Sequence, residues 1–80
     1  MNVYLEKAIQ AFNEKDFITA TVLATKAIEQ DNNCYEAYML RGQISMAFGD
    51  QKGATEDMKR ALELKPELLE KLNGVFKNKE

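Results

Sequence analysis

The stretch RALELKP, residues 60–66, is a helix-like run that ends at the only proline of the chain. A related run, KAIE, occupies residues 26–29, and the RALE of the quoted stretch occupies residues 60–63. A basic residue, an alanine, a branched aliphatic residue and a glutamate therefore recur at one spacing, the step from Lys26 to Arg60, which we call the repeat interval. Intervals of 20–50 residues are typical of proteins built from repeated structural units.

The repeat interval aligns positions along most of the chain. The aligned residues are an aromatic residue, several small residues and a turn acid: Tyr4 with Tyr38, Ala8 with Gly42, Asp16 with Asp50, Ala20 with Ala54, and Thr21 with Thr55. Small side chains let two helix axes approach closely, and an aromatic ring fills the space beside them. The repeated pattern therefore predicts pairs of closely packed short helices.

Apolar residues follow a helical period throughout, and no alternating pattern of strands is present. Polar breaks at residues 13–16, 31–33 and 49–50 divide the chain into helices. Asp16 and Asp50 are predicted N-caps because aspartate side chains accept from the free N–H groups of a first turn.

The start of the third helix and that of a fifth helix carry signals of their own. Asn33 followed by Glu36 resembles a capping box, which predicts Asn33 as the N-cap of the third helix. Pro66 suits the first turn of a fifth helix, since its missing N–H has no partner there in any case.

On the basis of these aligned residues and helix boundaries, residues 35–68 resemble a tetratricopeptide repeat, and residues 1–34 resemble another copy of the same repeat. The second copy carries the residues of that pattern most fully: Tyr38, Gly42, Gly49, Asp50, Ala54, Ala61 and Pro66. The first copy departs from the pattern at Lys15 and Asn32. The resemblance implies an all-α solenoid of two antiparallel helix pairs plus a C-terminal capping helix, in one domain. Residues 69–80 are then the remainder of that capping helix, which starts near residue 66, and a frayed tail.

Composition narrows the class of protein. The chain has 80 residues, 45% of them hydrophobic and 30% charged, with a net charge of −2 and no basic patch. This argues against binding to nucleic acid or to an anionic membrane surface. No apolar run approaches the ~20 residues of a membrane span. Cys34 is the single cysteine, which favours a reducing, cytoplasmic setting.

Residues that carry chemistry are scarce. The chain has no histidine, and its one cysteine cannot build a zinc site. Its four glycines are too scattered for a phosphate-binding loop. We therefore expect no catalytic residues, no metal and no cofactor, and a function other than catalysis.

The resemblance implies a concave surface lined by the first helix of each pair, where a protein or peptide partner would bind. The residues predicted to line this mostly apolar groove are Leu5, Ile9, Phe12, Met39, Gln43 and Met46. A plainer alternative stays open, because Leu, Ile, Phe and Met at helical spacing are often core residues.

A second predicted surface lies near the end of the chain. Leu69, Val75 and Phe76 form a possible self-association edge, because no further repeat follows them in the sequence. Such an edge predicts a homodimer. The alternative functions are thus a self-assembling structural module and an accessory subunit of a larger complex, and a self-contained enzyme is the least favoured.

Overall fold

The computed structural model describes residues 2–70. Four helices fill most of this range: α1 Val3–Asn13, α2 Phe17–Gln30, α3 Tyr35–Ala47 and α4 Gln51–Leu64. Residues 67–70 are helical as well, so a fifth helix follows Pro66 as predicted. The described residues contain no strand, and the predicted all-helical class is confirmed.

The helices pack in sequence order. α1 packs on α2 to form the first pair, α3 packs on α4 to form the second pair, and contacts between α2 and α3 join the two pairs. Alanines dominate the interior, and the fully buried ones are Ala8, Ala20, Ala24, Ala27, Ala37 and Ala61. Because these side chains are short, the helix backbones approach closely, and larger residues such as Leu40 and Ile44 fill the remaining space.

The turn inside each pair recurs in detail at the repeat interval. Lys15 in the first turn has φ 65° and Gly49 in the second has φ 79°. The next N–H bonds back to the last turn of the preceding helix in both cases, from Asp16 to the Ala11 carbonyl (2.9 Å) and from Asp50 to the Ser45 carbonyl (2.8 Å). These bonds satisfy carbonyls at the helix C-terminus in the Schellman arrangement. Lys15 adopts a left-handed backbone that glycine adopts at lower cost.

Both second helices begin in the same way. The Asp16 carboxylate accepts from the N–H of Thr19 (3.3 Å), and the Asp50 carboxylate accepts from the N–H of Gly53 (2.9 Å). Both predicted N-caps are therefore present. Each satisfies one of the N–H groups that a first helical turn leaves without a backbone partner.

The predicted N-cap of α3 is wrong. Cys34, not Asn33, precedes the helix, and the side chain of Cys34 makes no capping bond. Asn33 instead donates its N–H to the Asp31 carboxylate (3.0 Å) in the preceding turn. Cys34 is buried in an apolar cluster with Ala37 and Ile28, so tertiary packing fixes the start of this helix.

Asn2 caps α1 and ties it to α2. Its side-chain oxygen accepts from the N–H groups of Tyr4 (3.0 Å) and Leu5 (3.2 Å). Its Nδ2 donates to the Ala27 carbonyl near the end of α2 (3.0 Å). One amide side chain thus joins the start of one helix to the last turn of its neighbour.

Candidate functional site

The residues predicted to line a groove form equivalent couples, one member from each helical pair. Leu5 corresponds to Met39, Ile9 to Gln43, and Phe12 to Met46, each at the repeat interval. The structure places the members of two couples, Leu5 with Met39 and Phe12 with Met46, in different surroundings, whereas Ile9 and Gln43 are both exposed. This difference locates the surface that remains open.

In the first pair, two of the three predicted groove residues belong to the interior. Leu5 is 8% exposed and lies in a core cluster with Ala27 and Ile28, so little of its side chain is accessible to a partner. Phe12 is half-buried and packs edge-to-face on Phe17, with ring centroids 5.5 Å apart. Ile9 is 43% exposed and is the one surface residue of the three.

In the second pair, two of the equivalent residues are more open. Met39 is half-buried, Gln43 is exposed, and Met46 is 64% exposed. Phe12 is partly covered because it packs against the cluster that contains Leu40 and Ile44 of α3. Met46 has the equivalent position in the second pair, and within residues 2–70 no comparable cluster covers it.

Met46 borders an open pocket of about 460 Å³ on the surface of α4. We call this the α4 pocket; its lining is mostly apolar and consists of Met46, Gln51, Ala54, Thr55, Met58 and Leu62. Every lining residue has a counterpart one repeat interval earlier: Phe12, Phe17, Ala20, Thr21, Ala24 and Ile28. The pocket therefore occupies positions equivalent to one surface of the first pair, with Ala54 and Thr55 matching Ala20 and Thr21 and the other lining residues changed.

In the first pair, that surface is the contact with α3. Ala20 and Ala24 lie in one core cluster with Leu40 and Ile44 of α3. Phe17 packs edge-to-face on Phe48, which follows α3, with ring centroids 6.2 Å apart. A helix thus covers this surface in the first pair, whereas on the second pair it is open within residues 2–70.

An ion pair joins α3 to α4. Arg41 donates from Nε to the Asp57 carboxylate (2.8 Å) and from a terminal nitrogen to its other oxygen (2.9 Å). A third donor, Nη1, reaches the Thr25 hydroxyl on α2 (3.3 Å). The carboxylate raises the pKa of Arg41, because its hydrogen bonds favour the charged guanidinium.

Nothing in the sequence pattern indicates this ion pair. Lys7 and Leu23 stand at the corresponding positions of the first pair, so the repeat does not predict it. Arg41 and Asp57 also lie on different helices, and each reads in the sequence as one more surface charge. Bidentate geometry and partial burial make it a positioning contact that fixes how α3 lies on α4.

The predicted self-association edge is only partly described. Leu69 is 51% exposed, while Val75 and Phe76 lie outside the described residues. Cys34, the lone thiol, is buried, and burial raises its pKa, which disfavours the reactive thiolate.

The described residues show neither a metal-binding group nor a membrane-spanning helix. Within residues 2–70, no group of three or more acidic or cysteine side chains is arranged to hold a metal ion. None of the described helices has the length and apolar character needed to cross a bilayer. No protein-family model matches this sequence, and a comparison with curated proteins finds no match.

Proposed function

We propose that this chain is a non-catalytic interaction module that binds a segment of another protein on the apolar surface of its second helical pair. We further propose that its two helical pairs are tetratricopeptide-like hairpins. The support for this likeness is structural repetition, because the turns at Lys15 and Gly49 and the caps at Asp16 and Asp50 recur at the repeat interval.

The α4 pocket is the observation that carries the proposal. A mostly apolar surface whose positions correspond to those of a buried helix contact is suited to another element. Ala54 and Met58 are the equivalents of Ala20 and Ala24, which pack against α3. An added helix or extended peptide would bury the apolar groups that are open in this pocket.

The methionines of the surface suit such a role. Met46 and Met58 line the pocket, and Met39 lies on the same helix as Met46. A methionine side chain is unbranched, so it adjusts its shape to different partner side chains at small cost. The first pair has Phe12 and Ala24 at the positions of Met46 and Met58. Both of these residues pack against α3 of the same chain, so they contact one fixed set of side chains.

A peptide selection tests the proposal. Random peptides of about 15 residues, long enough for three or four helical turns, are selected against the full chain. Each enriched peptide is then measured against Met58→Glu, which places a charge in the pocket, and against Ile18→Glu, which alters an exposed apolar residue outside it. We expect binders whose affinity falls with Met58→Glu and is unchanged with Ile18→Glu. Failure to enrich any peptide, or equal affinity for both variants, would contradict the proposal.

Self-assembly is the second candidate function, and the exposure of Leu69 favours it. An apolar residue of this kind is typical of edges that a second copy covers. Sedimentation equilibrium over a wide concentration range separates the two functions. A dimer that Leu69→Glu abolishes would support self-assembly, and a monomer of 9.1 kDa at all concentrations would exclude it.

A further inference from the structure

The contact of α3 with α2 shows what kind of helix fits this repeated surface. Ala37, Leu40 and Ile44 follow one another at i, i+3 and i+7, and all three are buried. Leu40 and Ile44 share a cluster with Ala20 and Ala24, and Ala37 shares one with Ile28. Because the α4 pocket repeats the α2 side of this contact, apolar side chains at the same spacing fit it.

The two equivalent surfaces differ at one polar residue beside them, which is Thr25 on α2 and Lys59 on α4. On α2, the Thr25 hydroxyl accepts from Nη1 of Arg41, which occupies i+4 of the α3 pattern. The second pair has Lys59 at the place of Thr25, and Lys59 is exposed and makes no salt bridge within the described residues. An arginine at i+4 of a docked helix would face a like charge there. A carboxylate at that position would form an ion pair with Lys59.

From these two observations we infer that the α4 pocket binds an amphipathic helix of another protein, with apolar residues at i, i+3 and i+7 and a carboxylate at i+4 that pairs with Lys59. This inference rests on the proposed function, and it specifies the chemistry of the partner. The apolar residues supply the buried area, and the carboxylate fixes the register and direction of the helix.

The chain itself fits this pattern less well than a separate partner does. One repeat interval after Ala37, Leu40 and Ile44 of α3 stand Lys71, Gly74 and Asn78. Leu69, Leu72 and Phe76 have the i, i+3, i+7 spacing, but the residue at i+4 is Asn73. Nowhere in the sequence does a carboxylate occupy i+4 of such an apolar triad, which disfavours both the chain's own end and a second copy.

Two matched peptides test the inference. Both span residues 34–48 and carry Cys34→Ser and Gly42→Ala, which remove the thiol and favour the helix. One keeps Arg41 and the other carries Arg41→Glu. Fluorescence anisotropy against the full chain measures their affinities. We expect the Arg41→Glu peptide to bind about three- to tenfold more tightly, with an advantage that shrinks as salt is raised.

Charge reversal on the protein supplies the control. Lys59→Glu should invert the order of the two peptides, because the favoured and disfavoured charges exchange places. Lys7→Glu makes the same change in net charge on the exposed surface of the first pair and should leave the order unchanged. Circular dichroism of each variant verifies that the helices are intact.

The remaining outcomes overturn the inference in distinguishable ways. Equal affinities, or an order that Lys59→Glu does not invert, would exclude the carboxylate pairing. Binding of both peptides only to a chain carrying Leu69→Glu and Leu72→Glu would assign the pocket to the chain's own residues 69–76. If neither peptide binds any variant, the helical partner is excluded. The selection of random peptides tests the proposed function independently, so the failure of this inference and the failure of the proposed function can be told apart.

Discussion

The α2 surface of the first pair and the α4 surface of the second pair occupy equivalent places in the repeat, yet within residues 2–70 a helix covers only the first. Ala24 is 0% exposed beneath α3, whereas its counterpart Met58 is half-buried and borders an open pocket. The difference shows that the surroundings, and not the local pattern, decide whether a repeated position becomes core or surface. Alanine fits beneath α3 in the first pair, whereas the Met58 side chain lies partly against Gly42 of α3 and partly at the open pocket.

The largest effect should come from placing a charge at the two equivalent positions. Ala24→Glu buries a carboxylate between α2 and α3 and should destabilise the fold by about 3 kcal/mol or more. Met58→Glu can direct its carboxylate to water from the open pocket and should cost about 1 kcal/mol. Urea denaturation followed by circular dichroism measures both. Equal losses would mean that the two surfaces are buried to the same extent.

The next effect concerns the polar contact that only the second pair has. Asp57→Leu introduces the residue found at the equivalent position of the first pair, Leu23, and leaves Arg41 without its carboxylate. Because the pair is only partly shielded from water, we expect a loss of about 2 kcal/mol in the free energy of unfolding.

A double variant serves as the control for that result. Arg41→Leu with Asp57→Leu removes both charges and should recover most of the lost stability, since a packed apolar pair replaces the ion pair. Thermal and urea unfolding should agree on this order. A single variant as stable as the wild type would show that the ion pair contributes nothing to the packing of α3 on α4.

Adding side-chain volume at equivalent alanines of the two surfaces should change the free energy of unfolding by different amounts, although the difference is smaller than for the charged substitutions. Ala20→Leu adds volume between helices that are already in contact and should cost about 2–3 kcal/mol. Ala54→Leu adds the same volume beside the pocket and should cost about 1 kcal/mol, because part of the side chain can extend into open space. Thermal melts compare the two variants under one set of conditions. If neither variant lowers the midpoint, the close packing at these alanines is wrong.

The smallest effect lies in the two turns, which have Lys15 and Gly49 at the equivalent left-handed position. Lys15→Gly should stabilise the fold by about 0.5 kcal/mol, because glycine adopts the left-handed backbone of this turn without strain. Gly49→Lys should destabilise by about 1 kcal/mol for the same reason. Chemical denaturation of both variants checks that the signs are opposite. A stabilising Gly49→Lys would contradict the left-handed geometry of the second turn.

The repeated turns and caps could be predicted from the sequence because their signals are local. Asp16 and Asp50 each act on an N–H three residues away, so the chain needs no tertiary information to form them. Alanines at helical spacing predicted the close packing of the pairs for a similar reason. In the structure, Ala20 and Ala24 of α2 leave room for Leu40 and Ile44 of α3.

The parts that could not be predicted depend on which helix lies against which. Leu5 and Ile9 are both apolar and one turn apart, but only Leu5 faces Ala27 and Ile28. Phe48 belongs by pattern to the apolar face of α3, yet it is mostly exposed because it lies beyond the last turn of that helix. Arg41 of α3 forms an ion pair with Asp57 of α4. Sequence spacing within a single helix cannot predict a contact between two helices.

The α4 pocket shows the same limit. The sequence contains its apolar residues, but apart from Met46, which is predicted to line a groove, nothing in the sequence marks them as a surface, because their counterparts in the first pair pack in the clusters shared with α3. Only the absence of a covering helix within residues 2–70 reveals them as a surface. A repeat thus predicts the chemistry of a contact more reliably than whether the contact is made.

The measurement that tests the central claim most directly is the solvent accessibility of equivalent methyl groups in the full chain. Proton relaxation of the Met46, Met58 and Ala24 methyls is recorded by NMR with a soluble paramagnetic agent, at low protein concentration. The account predicts strong relaxation at Met46, clear relaxation at Met58 and almost none at Ala24. Methionine methyls as protected as that of Ala24 would mean that the second surface is covered like the first, and would contradict an open binding site on α4.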